Sequence, residues 1–272
     1  MKAITVGGFN KSVLAANYDN PQPTPDFHLQ MWELCCSPFQ FVAIAAPRGS
    51  AKSTAVTHAY GLACSLFRES AFTVLLSRTE GQAADFLNDI KIELTENEHV
   101  ISYFGVEKIM KDSQTDLIVR MTDGYQFRIL AIGVESFKRG LKWRSKRPSL
   151  ILLDDVEGDE AVLNRDRREK FSKLIDGAVI PSLSDTGLFR MVGTVMHMDS
   201  YLEGTMPDPR DEDTVNTELS SIHMVEGELW ASAKFRAHNE DFSQLLWPEK
   251  LTEKKLRTYR ARYQKKGQLE VY

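Results

Sequence analysis

The chain has 272 residues, 42% hydrophobic, 26% charged and 10% aromatic, with 16 Gly and 10 Pro; disordered, collagenous and low-complexity scaffolds are excluded. Lys+Arg 34 against Asp+Glu 38 gives a formal charge of −4, which argues against nucleic-acid binding over the whole surface and leaves that role to local basic patches. Cys35, Cys36 and Cys64 show no CxxC spacing and cannot all pair, so a disulfide scaffold and a zinc ribbon are not expected, and a reduced cytoplasmic setting is. The N-terminus lacks the apolar core of a signal peptide, and no run approaches the ~18 apolar residues of a membrane span, so no membrane partner is expected.

The opening stretch, with Pro21, Pro23 and Pro25 at its end, reads as an arm (residues 1–26) leading into the fold. A short helix is expected over His28 to Cys36. Phe39 to Ala46 is a continuous apolar run bounded by Pro38 and Pro47, the pattern of a strand buried on both faces. A turn over 47–54 follows, then a helical period with Ala55, Ala59, Leu62, Ala63 and Leu66 on one face. Phe72 to Ser77 predicts a second buried strand, and Ala83, Leu87, Ile90 and Leu94 mark the next helix. Between Leu117 and Leu130 apolar and polar residues alternate on either side of Asp123-Gly124, which predicts a β-hairpin. Leu150 to Leu153 is a third buried strand ending on Asp154-Asp155-Val156-Glu157; Phe171, Leu174, Ile175 and Ala178 share a helix face; Leu188 to Val192 is a further strand ending at Gly193-Thr194. Beyond Tyr201 the pattern weakens, through an acidic, turn-rich stretch at 206–213, until a basic helix begins near Thr252. Alternation of strands and helices implies an α/β fold with a mostly parallel sheet covered on both faces.

The strongest chemical signal is the passage from strand to helix through Arg48-Gly49-Ser50-Ala51-Lys52-Ser53-Thr54. A nucleoside triphosphate needs backbone N–H groups curled around its phosphates at a helix N-terminus, one Lys reaching the β/γ-phosphates, and a hydroxyl on Mg²⁺. Lys52 and Ser53 match the last two roles. Ala46 and Ala51 stand where the strict pattern has Gly, and alanine disfavours a positive φ. An ordinary strand-to-helix turn with an exposed Lys is the competing reading.

Acidic residues where a buried strand emerges supply the complement. Asp154 is placed to hold Mg²⁺. A second carboxylate should activate the attacking water; Asp155 and Glu157 both qualify, with Glu157 preferred for reach. Capping of the next helix by these carboxylates is the simpler alternative. Both motifs sit at the carboxyl ends of expected strands, the edge where open α/β sheets bind ligands.

With these residues in view, the chain resembles the ATPase domain of tailed-phage terminase large subunits, the DNA-packaging motor, and is closest in pattern to short-tailed-phage forms with a DDVE-type Walker B. The resemblance runs from about Phe27 to the terminal helix. It rests on the Arg48-Gly-x-Ala-Lys-Ser loop, Ser77-Arg78, Arg139-Gly140-Leu141, the Asp154–Glu157 motif and Val192-Gly193-Thr194. It implies an ASCE-type P-loop NTPase sandwich of three layers with an added hairpin, a core over 27–205, and a 206–272 extension leading toward a nuclease domain that this chain lacks. It also implies Mg²⁺-dependent ATP hydrolysis, with double-stranded DNA, a portal protein, the small terminase subunit and a homo-oligomeric ring as partners. Residue by residue, Arg48 matches the arginine that senses the γ-phosphate, and Gly193-Thr194 matches the coupling motif. Arg139 matches an arginine offered to a neighbouring subunit, while Phe27, His28 and Gln30 match the adenine contacts.

Sequence-independent DNA contact is expected from Lys138, Arg139, Lys142, Arg144, Lys146 and Arg147 or from the terminal basic helix, although charge runs also serve as plain solvated faces. A helicase-like P-loop motor and a nucleotide-binding module without hydrolysis are the alternatives. His197-Met-Asp199 lacks further nearby ligands for a metal hydrolase.

Overall fold

Ten strands form one sheet: β1 (Phe41–Ala45), β2 (Phe72–Ser77), β3 (Val106–Asp112), β4 (Asp116–Met121), β5 (Gln126–Gly133), β6 (Leu150–Asp154), β7 (Leu188–Gly193), β8 (Thr214–Asn216), β9 (Ser220–His223) and β10 (Trp230–Phe235). This is a computed structural model, which describes residues 1–158 and 164–265. The strands lie in the order β3-β4-β5-β2-β6-β7-β1-β10-β9-β8. In that order the six from β5 across to β10 run parallel, and antiparallel strands finish both edges. The antiparallel pair β4–β5 is the hairpin expected around Asp123-Gly124, with Gly124 at φ +86° supplying the left-handed turn position.

The apolar runs of β1, β2 and β6 are continuous because each strand feeds two cores. Val42, Ile44, Leu75, Leu150 and Leu152 face one core; Phe41, Ala43, Ala45, Val74, Leu76, Ile151 and Leu153 face the other. The first core is closed by α1 (Ala3–Phe9), α2 (Asp26–Cys35), a π-helical turn (Thr54–Tyr60) running into α3 (Gly61–Leu66), α4 (Glu80–Glu96) and α5 (Glu98–Phe104). The second is closed by the chain after α6 (Arg165–Leu174), through Ile175, Ala178, Val179 and Leu183, and by Leu202 of the short α7 (Tyr201–Gly204). A final helix, α8 (Glu253–Lys265), seats Leu256 beside Ala237, Phe242 and Leu251.

Two regions differ from the sequence-based expectation. Residues 3–17 are helical, and Val6, Phe9, Val13 and Leu14 are buried against the first core. Their helical spacing holds despite Gly7-Gly8, and Gly7 allows the close approach: a Cβ there would stand 3.3 Å from both Leu29 and Trp32. Residues 214–235, in the stretch where the sequence pattern weakens, add three strands to the sheet, with β10 pairing directly beside β1. Their buried side chains are largely small or hydroxylated (Ser220, Ser221, Ala231, Ser232, Ala233), so hydropathy marks them weakly. Lys266 and the rest of the expected extension lie outside the described residues.

Arg190, in the middle of β7, is 1% exposed. Its guanidinium donates to the carbonyls of Cys35 (2.9 Å), Phe39 (3.0 Å), Gln40 (3.0 Å), Phe189 (2.9 Å) and, at 3.4 Å, Ser37. It therefore fastens the C-terminal end of α2 and the approach to β1 onto β7. Among the described residues, no helix is long and apolar enough to cross a membrane.

Candidate functional site

Parallel strands deliver three loops to one edge of the sheet. β1 ends in loop 46–53, β6 in Asp154-Asp155, and β7, which lies between them, in Gly193-Thr194. In the sheet register Asp154 pairs with Val192, and Ala45 with Gly193, so these strand ends are level.

Loop 46–53 curls through two left-handed residues, Gly49 at φ +82° and Ala51 at φ +55°. Ala51 is thus held where glycine is intrinsically preferred, at a cost of about 1–2 kcal/mol. His28, on α2, braces the loop from behind: its Nε2 lies 2.8 Å from the Ser50 carbonyl oxygen, and burial lowers its pKa to about 4. The ring is therefore neutral at pH 7, with Nε2–H donating. Trp32 Nε1 donates to the Ala55 carbonyl (2.8 Å) and fixes the helix that follows.

The loop lysine and hydroxyl meet the carboxylates. Ser53 Oγ donates to Asp154 Oδ1 (2.9 Å), and Thr57, one turn on, donates to Asp154 Oδ2 (2.5 Å). Burial raises the Asp154 pKa to about 6, with the neighbouring Asp155 charge adding to the rise. Lys52 is 6% exposed and its Nζ lies 2.8 Å from Asp155 Oδ2. The other Asp155 oxygen accepts the Thr194 amide (2.9 Å). Asp155 itself is left-handed, at φ +43°, and its amide donates to the Val192 carbonyl (3.0 Å). One carboxylate thus joins the loop lysine to the tip of β7. Thr194 Oγ1 donates to the Ala46 carbonyl (3.2 Å), tying the same tip to the loop's first residue. Gly193 is needed there, since a Cβ would stand 3.0 Å from Leu202 Cδ2 and 3.4 Å from Asp155 Oδ1.

Glu157 is placed differently. Its Oε1 accepts the Tyr201 amide and its Oε2 the Leu202 amide, both at 2.8 Å, so it caps α7. Burial raises its pKa, and those two amides oppose the rise. Arg48 is exposed, with Nη2 3.4 Å from Met196 Sδ. Arg139 is exposed beside the 175–179 segment, where a Cβ on Gly177 would stand 3.6 Å from its Nη2. Phe27 packs edge-on against Trp247 (5.9 Å) and beside Phe235, and Gln30 is half-buried in a separate cavity of about 490 Å³. Thr54 lines a larger cavity of about 770 Å³ that also reaches His28, Ala51 and Ser53.

Of the sequence-selected residues, Ser53, Lys52, Asp154, Asp155 and Thr194 therefore form one cluster. Thr57 was missed; its signal was a hydroxyl one helical turn after Ser53. In the basic stretch, Arg144 (φ +49°) and Ser145 (φ +63°) make a tight left-handed turn closed by the Trp143–Lys146 pairing. Trp143 packs against Phe72 at 6.3 Å.

Ser53 Oγ and Asp154 offer hard oxygen ligands side by side, which suits Mg²⁺, an ion held by one or two carboxylates together with substrate phosphates. Such a donor set needs no cage of three or more acidic, His or Cys side chains, and the described residues contain none.

No family model matches the sequence, and no curated protein matches it. Solved structures do match the fold. The ATPase domain of the Thermus phage P74-26 large terminase superposes with a TM-score of 0.57 at 15% identity, over 87% of this chain and 86% of that one. The large terminase of bacteriophage HK97 gives a TM-score of 0.51 at 14% identity, over 74% of this chain and 40% of that one. The large terminase of a further, thermophilic bacteriophage gives 0.50 at 13% identity, over 88% of this chain and 50% of that one. The chain has the P-loop NTPase fold, in the form seen in the ATPase domains of phage large terminases.

Proposed function

We propose that this chain is the ATPase domain of a DNA-packaging motor of the large-terminase type, hydrolysing ATP with Mg²⁺ to move double-stranded DNA. The observation that carries this reading is the meeting of Lys52 and Ser53 with Asp155 and Asp154 at one edge of a P-loop sheet. The amides of the first helical turn after Ala51 have no intrahelical partner and can receive phosphate oxygens. Lys52 leaves Asp155 to engage the β/γ-phosphates, and Arg48 swings from Met196 to the γ-phosphoryl oxygens, where a planar guanidinium follows the charge as the bond breaks. Ser53 and Asp154 would hold a magnesium ion, which when bound would neutralise charge building on the phosphates.

Asp155 is the water-activating carboxylate in this scheme. Once Lys52 has turned to phosphate, Oδ2 is released to take a proton from the attacking water, while Oδ1 stays on the Thr194 amide. Glu157, with both oxygens on α7 amides, is a positioning residue that anchors the chain just after Asp155. Gly193-Thr194 then forms the coupling element, because the catalytic carboxylate and this strand tip share a hydrogen bond. In an assembled ring, exposed Arg139 is available to a neighbouring protomer's nucleotide. The portal, the small terminase subunit and the DNA are the expected partners, and residues 27–205 the catalytic core between the N-terminal segment 1–26 and the 206–272 extension.

Phosphate release measured with and without DNA tests this. Lys52→Ala and Asp155→Asn should each lower turnover by about 100-fold or more, and Glu157→Gln by less. ATP binding without turnover in the wild type would instead make the chain a nucleotide-binding module, and strand separation with single-strand preference would make it a helicase-like motor.

A further inference from the structure

Ser77 ends β2 at the same edge of the sheet as loop 46–53 and Asp154. It is 1% exposed, and its Oγ has no hydrogen-bond partner among the described residues. A buried hydroxyl without a partner is a cost to the fold, which points to a partner gained in another state of the protein.

In the parallel pairing of β2 with β6, Ser77 stands opposite Asp154. Two residues back along each strand, Leu75 and Leu152 face the first core, whereas Leu76 and Leu153 face the second. Alternation therefore puts Ser77 and Asp154 side by side on the first-core face, the face from which Ser53 and Thr57 reach Asp154. Neighbouring strands lie about 4.8 Å apart, a span that a rotated serine hydroxyl and a carboxylate can close to hydrogen-bond length. On its other side Ser77 pairs with Gly133, which has no side chain to compete. Asp154 is 2% exposed and receives one hydroxyl on each oxygen, Ser53 on Oδ1 and Thr57 on Oδ2, so each oxygen keeps a lone pair for a further donor. In the strand order β2-β6-β7-β1, loop 46–53 follows β1. Phosphates and their ion would thus meet Asp154 from the β7 side, and Ser77 stands behind it.

We propose that Ser77 is a positioning residue for the magnesium site: its hydroxyl rotates onto Asp154 from behind and donates to the carboxylate, fixing the plane that Asp154 presents to the ion. Ser53 has to aim its oxygen at the ion, so the carboxylate then depends on donors that are not themselves ligands, and Thr57 and Ser77 are the two within reach. The inference rests on the nucleotide reading of Lys52, Ser53 and Asp154, and adds a residue that touches neither nucleotide nor ion.

The test follows binding of a fluorescent, non-hydrolysable ATP analogue to the full chain as Mg²⁺ is titrated, and again in EDTA. Ser77→Ala should raise the half-saturating Mg²⁺ concentration about tenfold while leaving the affinity in EDTA within about twofold. Ser77→Thr, which keeps the hydroxyl, should stay close to wild type. Without ligand, Ser77→Ala should melt no lower than wild type, because the hydroxyl it loses has no partner there. An unchanged Mg²⁺ requirement in Ser77→Ala overturns the role of Ser77, and so does equal weakening by Ala and Thr, since the hydroxyl would then not be what holds Asp154. Analogue binding that is still weakened by Lys52→Ala leaves the nucleotide reading standing in either case. The alanine titration decides alone if Ser77→Thr does not fold. Absence of any Mg²⁺-dependent binding by the wild type overturns the nucleotide reading, and this inference with it.

Discussion

Replacing Arg190 by methionine isolates the contribution of one buried charge to the strand ends opposite the site. Among the described residues the guanidinium serves five carbonyls and no carboxylate. Two of these have other partners: Cys35 also accepts Tyr60 Oη (2.9 Å), and Gln40 also accepts the Phe189 amide (2.8 Å). The carbonyls of Ser37 and Phe39, at the end of α2, lean on Arg190. Each buried acceptor left without a donor costs about 1–3 kcal/mol, and methionine returns part of the loss as apolar packing, so the net loss should be about 3 kcal/mol. In a domain of this size that lowers Tm by roughly 6–12 °C. Arg190→Lys keeps the charge with fewer donors in a different geometry and should recover about half of the loss. Urea unfolding followed by tryptophan fluorescence gives the stability directly. A loss below about 1 kcal/mol for Arg190→Met would refute the reasoning, because water would then be serving those carbonyls as well as the guanidinium does.

Stability should also depend on pH through His28. Its folded-state pKa of about 4 lies below the unfolded value, so the unfolded chain binds more protons in between; this contribution is full above about pH 6.5 and is lost as pH falls toward 4. The difference between wild type and His28→Gln should shrink by up to about 3 kcal/mol across that window, and comparing the two cancels the opposing effect of Asp154, whose raised pKa favours the folded state as pH drops from about 6. Ala51→Gly relieves the left-handed alanine and should raise stability by about 1 kcal/mol in a thermal melt; destabilisation would mean that the methyl packing outweighs the strain. Gly193→Ala should slow phosphate release more than it lowers Tm, since the added methyl meets Asp155 Oδ1 and Leu202 together. Chelation with EDTA should abolish turnover, and Ser53→Ala should raise the Mg²⁺ concentration needed for half-maximal rate.

The central strands were legible because two-sided burial writes an unbroken apolar run, as in 39–46, 72–77 and 150–153. The Asp123-Gly124 hairpin was legible from its turn chemistry. Lys52, Ser53 and Asp154 could be picked out because their chemistry demands particular residue types at strand ends. Glu157 shows the limit of counting along the chain. Its length suggested reach toward the site, but the left-handed turn at Asp155 redirects the backbone, and the carboxylate ends on the amides of α7. That outcome depends on where residues 201 and 202 arrive, which no local pattern states. Arg190 was illegible for the same reason, since its carbonyl partners at 35–40 lie far off in sequence. β8–β10 escaped notice because small and hydroxylated side chains fill a thin edge of the core without raising hydropathy. The helical start was masked by Gly7-Gly8, whose low helix propensity hides an apolar stripe that tertiary packing makes good.

The double engagement of Asp155 has a mechanical consequence. The strand tip beyond Val192 is moored sideways by the Thr194 amide on Asp155, by the Thr194 hydroxyl on the Ala46 carbonyl and by the Ala46 amide on the Gly193 carbonyl, and the first of these ends on the group that also holds the lysine. A tug on the backbone leaving Thr194 therefore strains that mooring before it disturbs the interior strands, which are stitched on both sides. If Asp155 acts as proposed, traction on Thr194 would shift that carboxylate directly, and turnover would slow under opposing force.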